Sequence, residues 1–369
     1  MMRKVKLTDV CDILYGYPFD SSKFNSNNGI GVVRIRDIVR GYTETFTTED
    51  CSEQYTVKKG DILVGMDGEF NIAKWQGEPA MLNQRVCKLS PKANLDKSYL
   101  FYQMPSILKS IEARTSFVTV KHLSAKELNN VYLHLPSIEE QRKIALVLST
   151  IDLLIENYYT QLQDLGNLVK SRFIEMFGKE PNTVMLRDIC SIITDGTHQP
   201  PRFVDQGIPF LFVSNIAGNT ISYDCEKFIS SETYDELYKR TPIEIGDIIL
   251  STVGSYGHPA VVKSNRKFLF QRHIAYLKLK KDIINPIYLH TAILSDKIKA
   301  QIEKKVKGIA QKTLNLSEIR TISVQLPPLD LQNQFADFVA QVDKSKLAVQ
   351  QSLKELEILK KSFMQQYFG

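Results

Sequence analysis

LPSIEEQRKIALVLSTIDLLIENYYTQLQDLGNLVKSRFIEMFG, residues 135–178, returns later in the chain as LPPLDLQNQFADFVAQVDKSKLAVQQSLKELEILKKSFMQQYFG, residues 326–369. The two segments align without a gap at an offset of 191 residues. Leu135-Pro136 matches Leu326-Pro327, Gln141 matches Gln332, and both segments close on Phe-Gly. In the first, Ile144, Leu148, Ile151, Ile155, Tyr158, Leu162, Leu165, Val169, Arg172 and Met176 alternate spacings of four and three. In the second the same positions hold Phe335, Val339, Val342, Lys346, Val349, Leu353, Leu356, Lys360, Phe363 and Tyr367. A seam of that period, sustained this long, predicts long helices that pair as a coiled coil. Pro136 and Pro327-Pro328 mark the helix starts, and Glu139, Glu140 and Asp330 suit the positive end of a helix. Gly178 closes the first helix, and Lys179-Glu180-Pro181-Asn182 follows as a linker. Roughly 38 residues at about 1.5 Å each give a rod about 55–60 Å long. Lys346 and Lys360 interrupt the second seam.

Upstream of each helix the repeat is looser. The offset is 179 at Leu7/Leu186, 186 at Gly60-Asp61/Gly246-Asp247 and 187 at Gln84-Arg85/Gln271-Arg272. A drifting offset points to one scaffold carrying loops of different length. Strand-like runs lie at 32–36, 61–64 and 131–135, with counterparts at 210–213, 247–250 and 322–326, and helical stretches lie near 97–113 and 286–305. The expected fold class is mixed α/β (α+β), with two globular domains alternating with two long helices. The expected boundaries are 1–135 and 179–326 for the globular domains and 136–178 and 327–369 for the helices. If the helices pair antiparallel, the repeat acquires pseudo-two-fold symmetry. The two domains then stand at opposite ends of a rod, like the two reading heads that a dimeric DNA-binding protein holds at fixed spacing on the duplex.

Composition narrows the classes that remain. Apolar residues make up 43% and charged residues 24% of the chain, the balance of an ordinary globular protein rather than a disordered or fibrous one. No apolar run approaches the roughly 18 residues that would span a bilayer. The basic start Met1-Met2-Arg3-Lys4-Val5-Lys6-Leu7 lacks the apolar stretch of a signal peptide. Cys11, Cys51, Cys87, Cys190 and Cys225 are odd in number and never form CxxC. That pattern fits a reducing cytoplasm and argues against a disulfide framework or a Cys-based zinc site. Cys11 and Cys190 follow Asp9-Val10 and Asp188-Ile189 at equivalent positions and read as packing residues. The net charge of +6 permits a polyanionic partner without demanding one.

Two unlike globular domains alternating with two like helices, with LPxxxxQ at each helix start, resemble the specificity (S) subunit of Type I restriction–modification enzymes. Ile193-Thr194-Asp195-Gly196-Thr197-His198 and Gly207-Ile208-Pro209-Phe210-Leu211 resemble the opening of a target-recognition domain in that family. The resemblance implies a subunit that is not itself an enzyme. Each target-recognition domain would read one half of a bipartite, asymmetric DNA site, and the helices would set the gap. Two methyltransferase (M) subunits that modify adenine would dock on the helical region, and two restriction/translocase (R) subunits would complete the nuclease. S-adenosylmethionine, ATP and Mg2+ would belong to those partners, with no cofactor in this chain. The alternatives are a stand-alone DNA methyltransferase or nuclease, and a structural coiled-coil scaffold without a DNA role.

The motifs weigh against catalysis. Asn285-Pro286-Ile287-Tyr288 lacks the second proline of an amino-methyltransferase loop and reads as a helix start. No G-x-x-x-x-G-K-[ST] loop is present, Glu303-Lys304-Lys305 sits in a charged helical run, and the histidines lack metal-ligand spacing. Base reading calls for donors and acceptors on elements that can enter a groove, with cations on the rim for phosphates. The candidates are Tyr17, Arg34, Arg36, Lys74, Gln84, Arg85 and Lys121 in the first half. In the second they are His198, Ser214, Asn215, Ser255, Tyr256, His258, Gln271, Arg272 and Lys312. Arg34 and Arg36 are expected to alternate on one strand face, opposite the unlike Phe212 and Ser214 of the second copy. Gln84-Arg85 and Gln271-Arg272 recur, which favours a shared backbone or phosphate role over base choice.

Overall fold

The computed structural model describes residues 3–114, 121–308 and 312–369. The chain divides into two compact units, Met1–Tyr159 with Gln351–Gly369, and Thr160–Gln350. Each unit therefore holds one globular part and a half of each long helix.

In the N-terminal unit, strand Arg3–Lys6 pairs antiparallel with Tyr132–Leu135, the strand that leads into the first long helix. A four-stranded antiparallel sheet follows in the order Cys11–Tyr15, Val86–Pro91, Ile62–Gly65 and Ile72–Lys74. Ile62–Gly65 is buried along its whole length, which is why it reads as an unbroken apolar run rather than an alternation. A second, five-stranded sheet contains the parallel pair Ile30–Val33 and Ala80–Leu82. Helix Lys97–Arg114 covers the core with Tyr99, Leu100, Met104, Leu108 and Ile111.

The C-terminal unit repeats the plan. Thr183–Met185 pairs with Ser323–Gln325, and the four-stranded sheet runs Cys190–Asp195, Ile274–Leu279, Ile248–Ser251, Pro259–Val261. Ile208–Leu211 and Leu269–Phe270 form the parallel pair of its second sheet. The covering helix is in two pieces, Pro286–Ile293 and Asp296–Lys305, with Ser295 capping the second. Cys11 and Cys190 are buried, and desolvation pushes both thiols up to about 12.

The expected strands at 32–36 and 210–213 are shorter than their apolar runs. The first ends at Val33, and helix Ile35–Arg40 begins beyond Arg34. Its counterpart ends at Leu211, before a helical turn at Val213–Asn215. Both turns close in the same way. The Asp37 carboxylate accepts the Arg34 N–H at 2.9 Å, and the Asn215 side-chain carbonyl accepts the Phe212 N–H at 2.9 Å. A polar acceptor three residues on outweighs β propensity here, because it satisfies a backbone donor that a helix start would leave bare. Arg34 and Arg36 therefore do not share a strand face.

The long helices span Ile138–Phe177 and Leu329–Phe368, 40 residues each, or about 60 Å. Gln141 and Gln332 lock their starts. Gln141 accepts the Asp96 N–H at 2.9 Å and donates to the Asn94 and Pro136 carbonyls. Gln332 accepts the Asn285 N–H at 2.8 Å and donates to the Ile283 and Pro327 carbonyls. Within each unit the helices run antiparallel. Asp152 meets Lys360 at 2.6 Å and Tyr159 meets Glu357 at 3.0 Å in the N-terminal unit. In the C-terminal unit, the Arg172 guanidinium lies over Phe338, and Phe177 packs on Phe335. All ten seam positions of the second helix are buried or half-buried. On the first helix this holds from Ile144 to Val169, after which the packed face moves one residue on: Arg172 is exposed, whereas Phe173 and Phe177 are buried. A straight helix drifts from a 3.5-residue seam, and here its end turns toward the globular core around Tyr288.

Candidate nucleic-acid interface

At one end of each four-stranded sheet the same four backbone segments converge. In the N-terminal unit, Gln84 N–H donates to the Tyr17 carbonyl and Met66 N–H to that of Arg85. Gly68 N–H donates to Lys121, and Leu123 N–H to Met66, all within 3.0 Å. In the C-terminal unit the corresponding bonds run from Arg272 to Thr197, Thr252 to His273, Gly254 to Lys312 and Leu314 to Thr252. Gly68 and Gly254 have φ of +76° and +72°, and open space lies where a Cβ would stand. That backbone is nearly free only for glycine, so the loop tips turn out without a side chain in the way. A side chain at Gly16 or Gly196 would overlap the backbone of Asn83 or Phe270, so glycine there lets the first segment close on the third.

The side chains on this shared frame differ. In the N-terminal unit, Asp67 holds two partners: Arg85 Nε at 3.3 Å and His122 Nδ1 at 2.5 Å. Gln84 is exposed beside them. Lys121 Nζ is half-buried and lies 3.3 Å from Glu112. In the C-terminal unit the organising carboxylate is Asp195, which binds Arg240 at 2.6 Å and His198 Nε2 at 3.0 Å. Arg272 is exposed, with Nε directed at His273 Nε2 at 3.4 Å. Burial, and then the charge of Arg272, hold the His273 imidazole below its ordinary value. Ser255 is exposed at the loop tip, and Tyr256 ties that loop to Glu303 at 3.1 Å. His258 Nδ1 meets the side chain of Asn219 at 3.0 Å. Lys312 is exposed and anchors Gly254 through its carbonyl.

The structure thus gathers Gln84, Arg85 and Lys121 on one cluster, and His198, Ser255, Tyr256, His258, Gln271, Arg272 and Lys312 on the other. Tyr17 enters the first cluster through its backbone, while its ring packs on Phe19 and Tyr55. Lys74 lies at the opposite end of the sheet, paired with Ile62. Its ammonium donates to Ser98 and sits over Phe101, where burial and then Lys97 lower its pKa. Arg34, Arg36, Ser214 and Asn215 lie beyond the ends of the parallel strands. Arg36 and Ser214 are exposed, whereas Asn215 is buried with its amide bonded to the Asp224 carbonyl. Sequence reasoning passed over Asp67, His122, Asp195, Arg240 and His273. Asp195 stands inside the quoted Ile193–His198 motif, but Arg240 is 45 residues from its partner and carries no local signal.

Chemically, each cluster offers an exposed arginine, an imidazole and a buttressing carboxylate on rigid strand ends. Such groups suit base edges and phosphates: a guanidinium matches guanine or a phosphate, and a carboxylate accepts from cytosine. Among the described residues no group of three or more His, Cys, Asp or Glu side chains is placed to hold a metal ion. No described helix is long and apolar enough to cross a membrane.

Comparison with known proteins supplies the remaining finding. Residues 2–165 and 179–358 match the family model described as the Type I restriction modification DNA specificity domain. The chain is 29% identical over 373 residues to the EcoBI specificity subunit of Escherichia coli, a match covering 92% of this chain and 78% of that protein. It is 23% identical over 338 residues to the MjaVIII specificity subunit of Methanocaldococcus jannaschii, covering 85% and 79%. The crystal structure of a Type I restriction–modification S subunit from M. genitalium superposes with a TM-score of 0.60 at 15% identity, covering 100% of this chain and 96% of that one. A chain from a study of complex assembly and conformational transition in the type I R-M system gives 0.60 at 17% identity, covering 100% and 97%. At those identities the likeness to the solved structures is one of fold.

Proposed function

Since the chain belongs to the family of Type I restriction–modification DNA specificity domains, matched over both of its repeats, we propose that its two loop clusters read the two halves of a bipartite, asymmetric DNA site. The observation that carries this is the pairing of a repeated frame with unlike tips. The same four segments converge in both units, yet Asp67 organises one cluster and Asp195 the other. Different half-sites demand different side chains on a common support. The expected match of Gln84-Arg85 with Gln271-Arg272 slips by one residue on this frame, where Arg272 stands in the place of Gln84 and His273 in that of Arg85. The two exposed arginines are still assigned to phosphates, where sequence carries no information.

The chain is the DNA-specificity component of a larger complex and acts with methyltransferase and restriction subunits. The family resemblance supports two methyltransferase subunits docked on the long helices and adjoining domains, with two restriction subunits completing the nuclease. The helices are assigned the gap between half-sites. The reaction chemistry, with S-adenosylmethionine, ATP and Mg2+, is assigned to those partners, and the chain is a non-catalytic recognition subunit working on cytoplasmic DNA.

A genome-wide adenine-methylation map of the source strain, with and without the gene, tests the reading. Loss of one two-part motif with a fixed gap is expected on deletion. Re-expression of a chain with the tip Gly254–His258 replaced is expected to change one half of that motif and spare the other. A motif that survives deletion while the partner methyltransferase is active would refute the assignment.

A further inference from the structure

The two units differ at one equivalent place that the recognition reading leaves unused. In the N-terminal unit, Tyr102 donates to Asp152 Oδ2 at 2.7 Å, and Lys360 Nζ lies 2.6 Å from Asp152 Oδ1. Those three side chains join helix Lys97–Arg114 to both long helices. The 191-residue offset of the long helices puts Asp343 in the place of Asp152, Val169 in that of Lys360 and Gly166 in that of Glu357. Tyr99 and Tyr288 fix the other register, since their hydroxyls donate to the equivalent carbonyls of His134 and Gln325. Thr291 then replaces Tyr102, and His290 replaces Phe101.

Each replacement removes volume or a bond. The Thr291 hydroxyl donates back to Ile287 of its own helix at 2.9 Å, and Asp343 turns to the exposed Lys263 at 3.4 Å. Where the first unit has this triad, the second has a cavity of about 750 Å³ between helix Pro286–Ile293, the loop at 218–223 and the long helices. Its walls include Val169, Phe173, Ile287, Leu294 and Val339. Lys170, Lys263, Lys297, Lys299 and Lys346 line it against two carboxylates, Asp296 and Asp343. Burial holds His290 below its ordinary value, and its Nε2 lies 3.0 Å from the Asn219 carbonyl at the cavity wall.

A concave apolar space of this size with a few charged groups has the dimensions of a small-molecule site. We propose that the cavity of the C-terminal unit binds a small amphipathic anion. A ring or branched hydrocarbon body would lie on Val169, Phe173 and Ile287, and a phosphate, sulfonate or carboxylate would face the lysines. The occupant takes the place of the Tyr102–Asp152–Lys360 triad and ties helix Pro286–Ile293 to the long helices as the triad does in the other unit. The proposal is independent of which DNA sequence is read.

The full chain is titrated with 1-anilinonaphthalene-8-sulfonate and with the uncharged N-phenyl-1-naphthylamine, by fluorescence and calorimetry. One equivalent of the sulfonate is expected, bound more tightly than the uncharged dye and weakened by salt. The double variant Thr291→Tyr with Val169→Lys copies the triad into the cavity and is expected to bind about tenfold more weakly or not at all, tenfold corresponding to about 1.4 kcal/mol. Gly166→Phe is the second filling variant, because nothing lies within 4 Å of a Cβ built there. The reciprocal Tyr102→Thr with Lys360→Val is expected to add a second equivalent. Equal binding by filled variants that melt like the parent chain overturns the proposal, as does the absence of a single saturable site. Loss of the dye when the chain is assembled with its methyltransferase also overturns it, by giving the cavity to the partner. A motif change without any change in dye binding bears on recognition alone, so the two readings fail separately.

Discussion

Arg85 and Arg272 stand one position apart on two copies of a frame, since Arg272 takes the place of Gln84 and His273 that of Arg85. Yet each is exposed, and each lies beside an imidazole or carboxylate that steers it. An exposed guanidinium at the rim of each cluster is suited to the phosphates. Arg85→Ala and Arg272→Ala should each weaken DNA binding by the assembled complex and lower the slope of log affinity against log salt by about 1. The methylated motif should remain unchanged, which separates them from the tip residues. A changed motif in Arg272→Ala would move that side chain to base reading. Titration gives a second residue-level expectation. His290 and His273 both have folded values below 6.5, first through burial and then, for His273, through Arg272. The unfolded chain binds more protons in that window, so stability is fully present above about pH 6.5 and falls as pH drops below it. Glu244 and Glu318, lowered by Lys278 and Lys307, act in a separate window below the ordinary carboxylate value. The urea midpoint should therefore fall between about pH 7 and about pH 5.5, and His290→Gln should flatten that slope. An unchanged slope in the variant would assign the pH response elsewhere.

At the level of elements, the glutamines that start the long helices carry more than their place in a motif suggests. Gln332 is buried and satisfies one backbone donor and two carbonyls, from the Ile283–Asn285 turn and from Pro327. Gln332→Leu keeps the bulk and orphans all three, so a loss of about 1–3 kcal/mol is expected in chemical denaturation. Gln141→Leu should cost a similar amount in the other unit, and a loss below about 0.5 kcal/mol would mean water replaces the amide. These glutamines were legible because an invariant spacing marked them twice. The helices were legible too, since a seam repeated in two copies cannot easily arise from local accident. Legibility ended where tertiary contacts override period. Phe173 and Phe177, outside the predicted seam, take over from Arg172 because the helix end meets a globular core as well as a partner helix. Arg34 left its strand because Asp37 offers a helix start. Of the candidate site, the presence of a Gln-Arg pair in each cluster could be read directly, but its register could not, because the backbone slips by one residue between the two copies. The Asp195–Arg240 pair could not, because it joins segments that share no motif.

Of the two units, the N-terminal one borrows a helix end from a distant stretch of chain, whereas Thr160–Gln350 is continuous. Gln351–Gly369, the last residues of the sequence, belong to the unit that contains its first. There Phe363, Met364, Tyr367 and Phe368 pack against the N-terminal core, with Phe368 edge-on to Tyr99 at 5.2 Å. Lys360 neutralises Asp152, which also accepts from Tyr102. A chain ending at Gln350 would lose all of these at once. Half-buried aromatic and methionine side chains contribute about 1 kcal/mol or more each. Removing Lys360 also leaves Asp152 without its counter-charge. The expected result is a selective loss: hydrogen exchange should speed up in the sheet Cys11–Tyr15 and Val86–Pro91 and in helix Lys97–Arg114. The sheet Cys190–Asp195 and Ile274–Leu279, whose core contains no residue beyond Val339, should keep its protection. Two thermal transitions should then replace one in calorimetry, the earlier belonging to the N-terminal unit. Equal loosening of both units would show that the long helices couple them into one cooperative body. In that case a change at either cluster would be felt at the other, and the two half-sites could not be altered independently.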